Sequence, residues 1–289
     1  MNFYQMAQIG ICLSGLDDAL PVGTYLQPFR ITASQYESLL QRIRINVRRE
    51  EMTVPSSAIQ VGGAFFWKES EEAVLGVPYG RCPCAVSFAP ADWEKEEITV
   101  RIHPQAYCER NVTQNQLLSV MGLHSLLLAR GALTLHASYI RTKGGAVLFT
   151  APSGTGKSTQ AWLWHKYVGA EIINGDRAVV RQGEENWMSH GVSVCGSSDI
   201  RKNESAPLRL LVELRQGREN RVIPLTAGEK YRALVLASAF YRWDFGEAER
   251  VHQLTAVLLE QVPMVRLVCR PDQEAVQALQ LYMERMESA

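Results

Sequence analysis

The 289-residue sequence predicts a mixed α/β domain preceded by a smaller β-rich module, and three observations carry that expectation. The apolar run Ala146-Val147-Leu148-Phe149-Thr150 empties directly into a glycine-rich turn and then a helical stretch. Short alternating or β-branched runs, separated by Gly, Pro and Asp, fill residues 1 to 112. Beyond the turn only one helix precedes the next strand before short hairpin-like strands begin. A mixed sheet fits that succession better than a fully parallel, doubly wound one.

In the first module (1–112), strands are expected at Met6 to Leu13, Tyr25 to Ile31, Ile59 to Trp67, Ala85 to Phe88 and Ile98 to His103, with one helix from Ser34 to about Ile43. Acidic Glu69, Glu71 and Glu72 and the run Asp92 to Glu97 read as solvated turns, and no chemistry is legible in this segment. The second module (113–289) opens on the capping box Thr113-Gln114-Asn115-Gln116, which starts an apolar helix to Arg130 closed by Gly131. Strands Ala132 to Ile140 and Ala146 to Thr150 form a hairpin through Arg141-Thr142-Lys143-Gly144-Gly145. A helix to about Val168 follows, then strands at Ala170 to Ile173, Ala178 to Arg181, Val192 to Cys195, Leu208 to Leu214 and Met264 to Cys269. Thr226-Ala227-Gly228-Glu229 caps a helix running to about Phe240, and Asp272 caps the last one, through Met286. No internal repeat or low-complexity linker divides the modules.

Composition bounds the function. With 46% hydrophobic and 21% charged residues the chain can bury a full core. Lys+Arg 30 against Asp+Glu 30 leaves no general electrostatic footprint for nucleic acid or an anionic membrane. The start, Met1-Asn2-Phe3-Tyr4-Gln5-Met6, has no basic leader region, and no stretch approaches the ~20 apolar residues of a membrane span, so a soluble cytoplasmic protein is expected. Six cysteines without a secretion signal read as reduced thiols. Cys82-Pro83-Cys84 has a spacing unlike a zinc knuckle and reads as loop and strand thiols; Cys12, Cys108, Cys195 and Cys269 read as small core hydrophobes.

The chemistry lies in Ser153-Gly154-Thr155-Gly156-Lys157-Ser158-Thr159. Two glycines let the backbone turn with its N–H groups inward, and the helix starting near Lys157 adds its positive end, which together make an anion cradle. Lys157 is placed to reach the terminal phosphates of a nucleotide and Ser158 to coordinate Mg²⁺, with Thr159 as a spare hydroxyl. The common pattern has Gly where Ala151 stands, a small residue that leaves the loop feasible. A strand-to-helix turn with a merely solvated lysine is the plainer alternative, and the flanking strand and helix argue against it. A nucleotide's metal needs a further acidic ligand. Asp176 ends the apolar strand Ile172-Ile173-Asn174-Gly175 about twenty residues beyond Lys157 and is the candidate metal ligand or orienting base. Arg177 touches phosphate or solvent. His136, inside the strand before the loop, is a candidate acid/base group, while His103, His124, His165, His190 and His252 have no motif context. Trp162 and Trp164 are expected to pack rather than stack on a base.

The order Leu135-His136-Ala137-Ser138, the phosphate loop, and Ile173-Asn174-Gly175-Asp176-Arg177 resembles the catalytic domain of the HPr serine kinase/phosphorylase group, and more closely the HPr-kinase-like proteins found beside peptide-modification genes. Cys195-Gly196-Ser197-Ser198, Asn203, Ala206-Pro207-Leu208 and Glu219-Asn220-Arg221 continue the likeness, which spans about residues 116 to 240. The resemblance implies a fold shared with nucleotide-dependent phosphoenolpyruvate carboxykinases, ATP with Mg²⁺, His136 at the site, and transfer of the γ-phosphoryl to serine in a peptide or small protein. It also implies a homo-oligomer. Two departures stand out. Gly175 occupies the position of the first of two adjacent aspartates, and Val192-Ser193-Val194 replaces a Thr-Pro-Trp-like run that shapes the acceptor site. Three functions follow as expectations: an ATP-dependent hydroxyl kinase, a catalytically silent ATP-binding sensor, or a small-molecule kinase.

Overall fold

The computed structural model describes residues 1–16, 20–70, 72–105, 113–196 and 199–288, so Glu71, Cys108, Ser197 and Ser198 lie outside the described residues. Contacts group the chain into two units, Met1–Arg130 and Gly131–Ala289. The helical stretch after Thr113 therefore belongs with the first unit, whereas the sequence places it at the head of the second.

The first unit carries strands β1 (Asn2–Met6), β2 (Ile9–Ser14), β3 (Gln41–Arg49), β4 (Ile59–Val61), β5 (Ala64–Glu69), β6 (Glu72–Tyr79), β7 (Cys82–Phe88) and β8 (Glu97–Ile102), in the spatial order β1-β2-β3-β8-β7-β6-β5-β4. Its helices are α1 (Ala33–Ser38), α2 (Gln114–Val120) and α3 (Leu123–Leu128). The expected strand Met6 to Leu13 is a hairpin instead, turning at Ala7 and Gln8 with φ of 49° and 63°. Neither residue is a glycine, so no turn signal marks the sequence there. Residues Tyr25 to Ile31 form no strand; a 3-10 turn at Gln27–Phe29 buries Phe29. The helix expected from Ser34 to Ile43 ends at Ser38. From Gln41 the period is two rather than 3.6: Ile43, Ile45 and Val47 are buried while Arg42 and Arg48 are exposed, and the segment lies between β2 and β8, parallel to both. The capping box at Thr113 forms, with Gln116 Oε1 accepting from the Thr113 N–H at 2.7 Å. The helix it starts breaks at Gly122, whose φ of 81° is left-handed. Cys82 and Cys84 are buried on β7, and the described cysteines are free thiols.

The second unit runs β9 (Ala132–Thr142), β10 (Gly145–Thr150), α4 (Lys157–Val168), β11 (Glu171–Asn174), β12 (Arg177–Gln182), β13 (Trp187–His190), β14 (Ser205–Gln216), β15 (Arg221–Pro224), α5 (Ala227–Ala237), α6 (Phe245–Gln261), β16 (Met264–Cys269) and α7 (Gln273–Glu287). Its sheet is mixed, as expected: β10, β14 and β16 are parallel, and the remaining pairings are antiparallel. The pairings β9-β10-β14-β13-β12-β9 close a ring, because the long strands β9 and β14 each change partners along their length. β11 and β12 follow one another along the same strand, pairing Ile172 with Ile140 and Arg177 with His136, and are separated by the Asn174-Gly175-Asp176 turn. Beneath α4 and α7 lies a core of Val147, Phe149, Trp164, Val212, Leu267 and Leu279. Trp162, expected to pack, is 52% exposed with its ring edge on His165. Val192 to Cys195 is irregular rather than a strand, and β15 and α6 had no expectation at all. Among the described residues no helix is long and apolar enough to cross a membrane.

His190, buried on β13, has no hydrogen-bond partner for Nε2 among the described residues, and burial first, then Arg181, pushes its pKa down to about 4. In the unfolded chain it titrates near 6.5, so the unfolded state binds the extra proton first as pH falls. Stability is therefore expected to be full above pH 6.5 and to drop by on the order of 3 kcal/mol on acidification to 4. Denaturant unfolding across that range should show the slope, and His190→Gln should flatten it.

Candidate active site

β10 ends at Thr150, and the chain turns through Ala151-Pro152-Ser153-Gly154-Thr155-Gly156 before α4 begins. Gly154 and Gly156 have φ of +78° and +115°, which L side chains rarely adopt. A Cβ on Gly154 would meet nothing within 4 Å, so backbone conformation rather than crowding demands glycine there. Thr155 N–H donates to the Pro152 carbonyl at 3.3 Å and closes the turn. The start of α4 has no side-chain cap and no acidic residue in its first turn. Its first N–H groups and its dipole are therefore not neutralised by a side chain of the helix's own first turn.

Lys157, although the first residue of the helix, is buried, and its Nζ donates to the Ala151 carbonyl at 3.0 Å. Burial lowers its pKa, Asp176 opposes that, and Arg177 adds to it. Thr159 is exposed on the same turn.

The second half of the site hangs on Asn174, which is fully buried. Its Oδ1 accepts from the Asp176 and Arg177 N–H groups at 3.0 and 2.9 Å, and its Nδ2 donates to the Val192 and Val194 carbonyls, both at 3.1 Å. One amide thus shapes the turn and ties it to the 192–196 loop. The Gly175 carbonyl accepts from Ser138 Oγ at 2.6 Å and from Ser158 Oγ at 3.2 Å, which joins the turn to β9 and to the start of α4. Asp176 Oδ1 stands 2.9 Å from His136 Nε2, and Oδ2 stands 3.4 Å from Arg177 Nε. The hydrogen bond from His136 above all, with Arg177 and Lys157, holds the carboxyl below its usual range against the opposing effect of burial. Gly196 covers it: a Cβ there would lie 2.9 Å from Asp176 Cγ.

His136, Lys157, Ser158 and Asp176 are therefore neighbours around one turn. Ser153, Gly154 and Thr155, together with His136, line a cavity of about 870 Å³ whose far wall the sequence did not disclose. That wall is Glu213 to Gln216 at the end of β14, with Arg232, Ala233, Leu236 and Ala237 on α5. No local motif marks these residues. The pairing of Thr150 with Glu213 across β10 and β14 brings the β14 residues to the loop, and the end of α5 is tied to β9 where the Ala239 N–H donates to the Thr134 carbonyl at 2.9 Å. Glu213 is held by Arg266 Nε at 2.7 Å, and Arg266 also reaches Glu229 at 3.1 Å. Among the described residues no three His, Cys, Asp or Glu side chains cluster as a metal site. A hard cation taking oxygen donors would suit the Ser158 hydroxyl and Asp176 carboxylate, with phosphate and water completing its shell.

No protein-family model and no curated protein matches the sequence. Among solved structures the chain is similar to the Hpr(Ser) kinase/phosphatase from Coxiella burnetii, at 17% identity and a TM-score of 0.32, over 54% of this chain and 94% of that one.

Asn174→Ala removes four hydrogen bonds from a buried turn and leaves two N–H groups and two carbonyls to find other partners. The expected cost is roughly 2–4 kcal/mol in denaturant unfolding. A loss under about 0.5 kcal/mol would show that the turn and the 192–196 loop hold their shape without that amide.

Proposed function

We propose that the chain is an ATP-dependent kinase that transfers the γ-phosphoryl group to a hydroxyl, serine, of a peptide or small protein. The observation that carries this reading is the Gly175 carbonyl of the turn that bears Asp176: it accepts from Ser158 of the loop and from Ser138 of β9, with His136 on the carboxylate. Phosphate cradle and candidate base are thereby held in one frame. That suits a reaction in which the protein supplies mostly positioning and charge neutralisation.

The loop N–H groups and the start of α4 bind the polyphosphate, and Lys157 exchanges its bond to the Ala151 carbonyl for one to the terminal phosphates. The Ser158 hydroxyl and the Asp176 carboxylate would hold a magnesium ion, which when bound would supply charge neutralisation for the phosphates. Asp176, kept ionised at neutral pH by its partners, accepts a hydrogen bond from the acceptor hydroxyl and aims its oxygen at the γ-phosphorus. The new O–P bond forms as the bond from the γ-phosphorus to the bridging oxygen breaks, ADP departs, and the hydroxyl proton passes to the Asp176–His136 pair. A second reading, a catalytically silent ATP-binding sensor, is favoured by Gly175, which leaves a single carboxylate on the turn.

Lys157→Ala should abolish most ATP binding in calorimetry with magnesium present while the protein stays folded; equal affinity in the two proteins rules out the loop as a phosphate site. Asp176→Asn should lower phosphotransfer by about two orders of magnitude with ATP binding weakened far less. Assays of wild type and Gly175→Asp on candidate peptides separate kinase from sensor: a silent wild type alongside an active Gly175→Asp assigns the chain to the sensor.

A further inference from the structure

The cavity beside the loop is larger than a phosphate chain needs, and part of its wall is unsuited to phosphate. Small-ligand pockets span about 300–1,000 Å³, and this one encloses about 870 Å³. Its loop side is Thr150 to Thr155 with His136 of β9 beside them, so the cavity runs from the Asp176–His136 pair along the loop. Its opposite side is one face of α5, because Arg232, Ala233, Leu236 and Ala237 recur at helical spacing. Leu236 is 66% exposed on that face, whereas Leu234, two residues earlier, is fully buried in the core. Its isobutyl group contributes an apolar surface to the cavity that polyphosphate would leave unpaired. A single exposed leucine is ordinary on a protein surface. Here it adjoins two alanines and an unengaged cation in a cavity that ends on an anion cradle.

Charge points the same way. The cavity's carboxylate, Glu213, is taken up by Arg266 at 2.7 Å and lies 3.7 Å from Arg215. Arg232 is exposed and has no hydrogen bond or ion pair among the described residues. The wall is left with a cationic surplus next to the loop, and an apolar shelf beyond it.

We infer that this face of α5 is the nucleoside subsite: Leu236, Ala233 and Ala237 form the platform for the base and ribose, and Arg232 neutralises the phosphate nearest the ribose. The assignment rests on the phosphate-loop reading above. It adds where the rest of the nucleotide lies, and it makes α5 the element that distinguishes a nucleotide from bare polyphosphate.

Two ligands and three variants test it, by calorimetry with magnesium present: ATP and inorganic triphosphate, against Leu236→Ala, Arg232→Gln and Lys157→Ala. Leu236 and Arg232 are exposed, so thermal unfolding should be unchanged in both variants. Leu236→Ala should weaken ATP about tenfold and leave triphosphate within about twofold of wild type. Arg232→Gln should weaken both ligands about tenfold. If Leu236→Ala leaves ATP within about twofold, or weakens both ligands alike, the subsite is overturned while loss of both ligands in Lys157→Ala keeps the phosphate loop in place. If wild type binds neither ligand, the subsite falls together with the phosphate loop.

Discussion

The side chain of Asn174 is the constraint on which the site depends. A strand alternates its side chains between two faces. An uninterrupted run from Glu171 to Gln182 along β9 would carry that alternation straight through Asp176. Asn174 ends it by offering Oδ1 to the next two backbone N–H groups, which turns the chain, and by spending its own N–H donors on the loop at Val192 and Val194. The turn that results leaves the Gly175 carbonyl open to two serine hydroxyls and sets Asp176 against His136. Burial makes each of these bonds matter more, since an unpaired amide at a fully enclosed position is expensive.

The glycine-rich loop depends on a different kind of constraint. Parallel strand β10 ends at Thr150 opposite Glu213, and β14 runs on to Gln216, so the loop after Thr150 and the last residues of β14 share one edge of the sheet. Ligands in mixed and parallel sheets gather at such strand ends, where helix N-termini point their N–H groups outward. The two glycines with left-handed φ release the backbone into the cradle, and α4 starts with neither a side-chain cap nor an acidic residue to neutralise it. Lys157 spends its charge on the Ala151 carbonyl, an arrangement in which a buried ammonium is satisfied by the loop itself.

Local signals carried much of this into the sequence. The loop, the β9–β10 hairpin, the span of α4 and the caps at Thr113, Thr226 and Asp272 are each legible within a few residues, because capping and turning are short-range hydrogen-bond problems. Where local signals were silent or ambiguous the reading failed. The Ala7-Gln8 turn has no glycine, the first three residues of β3 continue a helical pattern that ends at Ser38, and α6 with its Asp244 cap has no counterpart among the expected elements.

The sequence by itself determined the chemistry on offer: a glycine-rich loop ending in Lys157 and Ser158, a strand ending in Asp176, and His136 one strand away. Tertiary structure decided which of these touch. The pairing of Arg177 with His136 brings Asp176 within 2.9 Å of His136, and the pairing of Thr150 with Glu213, together with the tie of the end of α5 to β9, builds a cavity wall from β14 and α5. Register and crossover are set by the burial of whole strands against one another, a sum over residues far apart in the chain, and no window of sequence contains it.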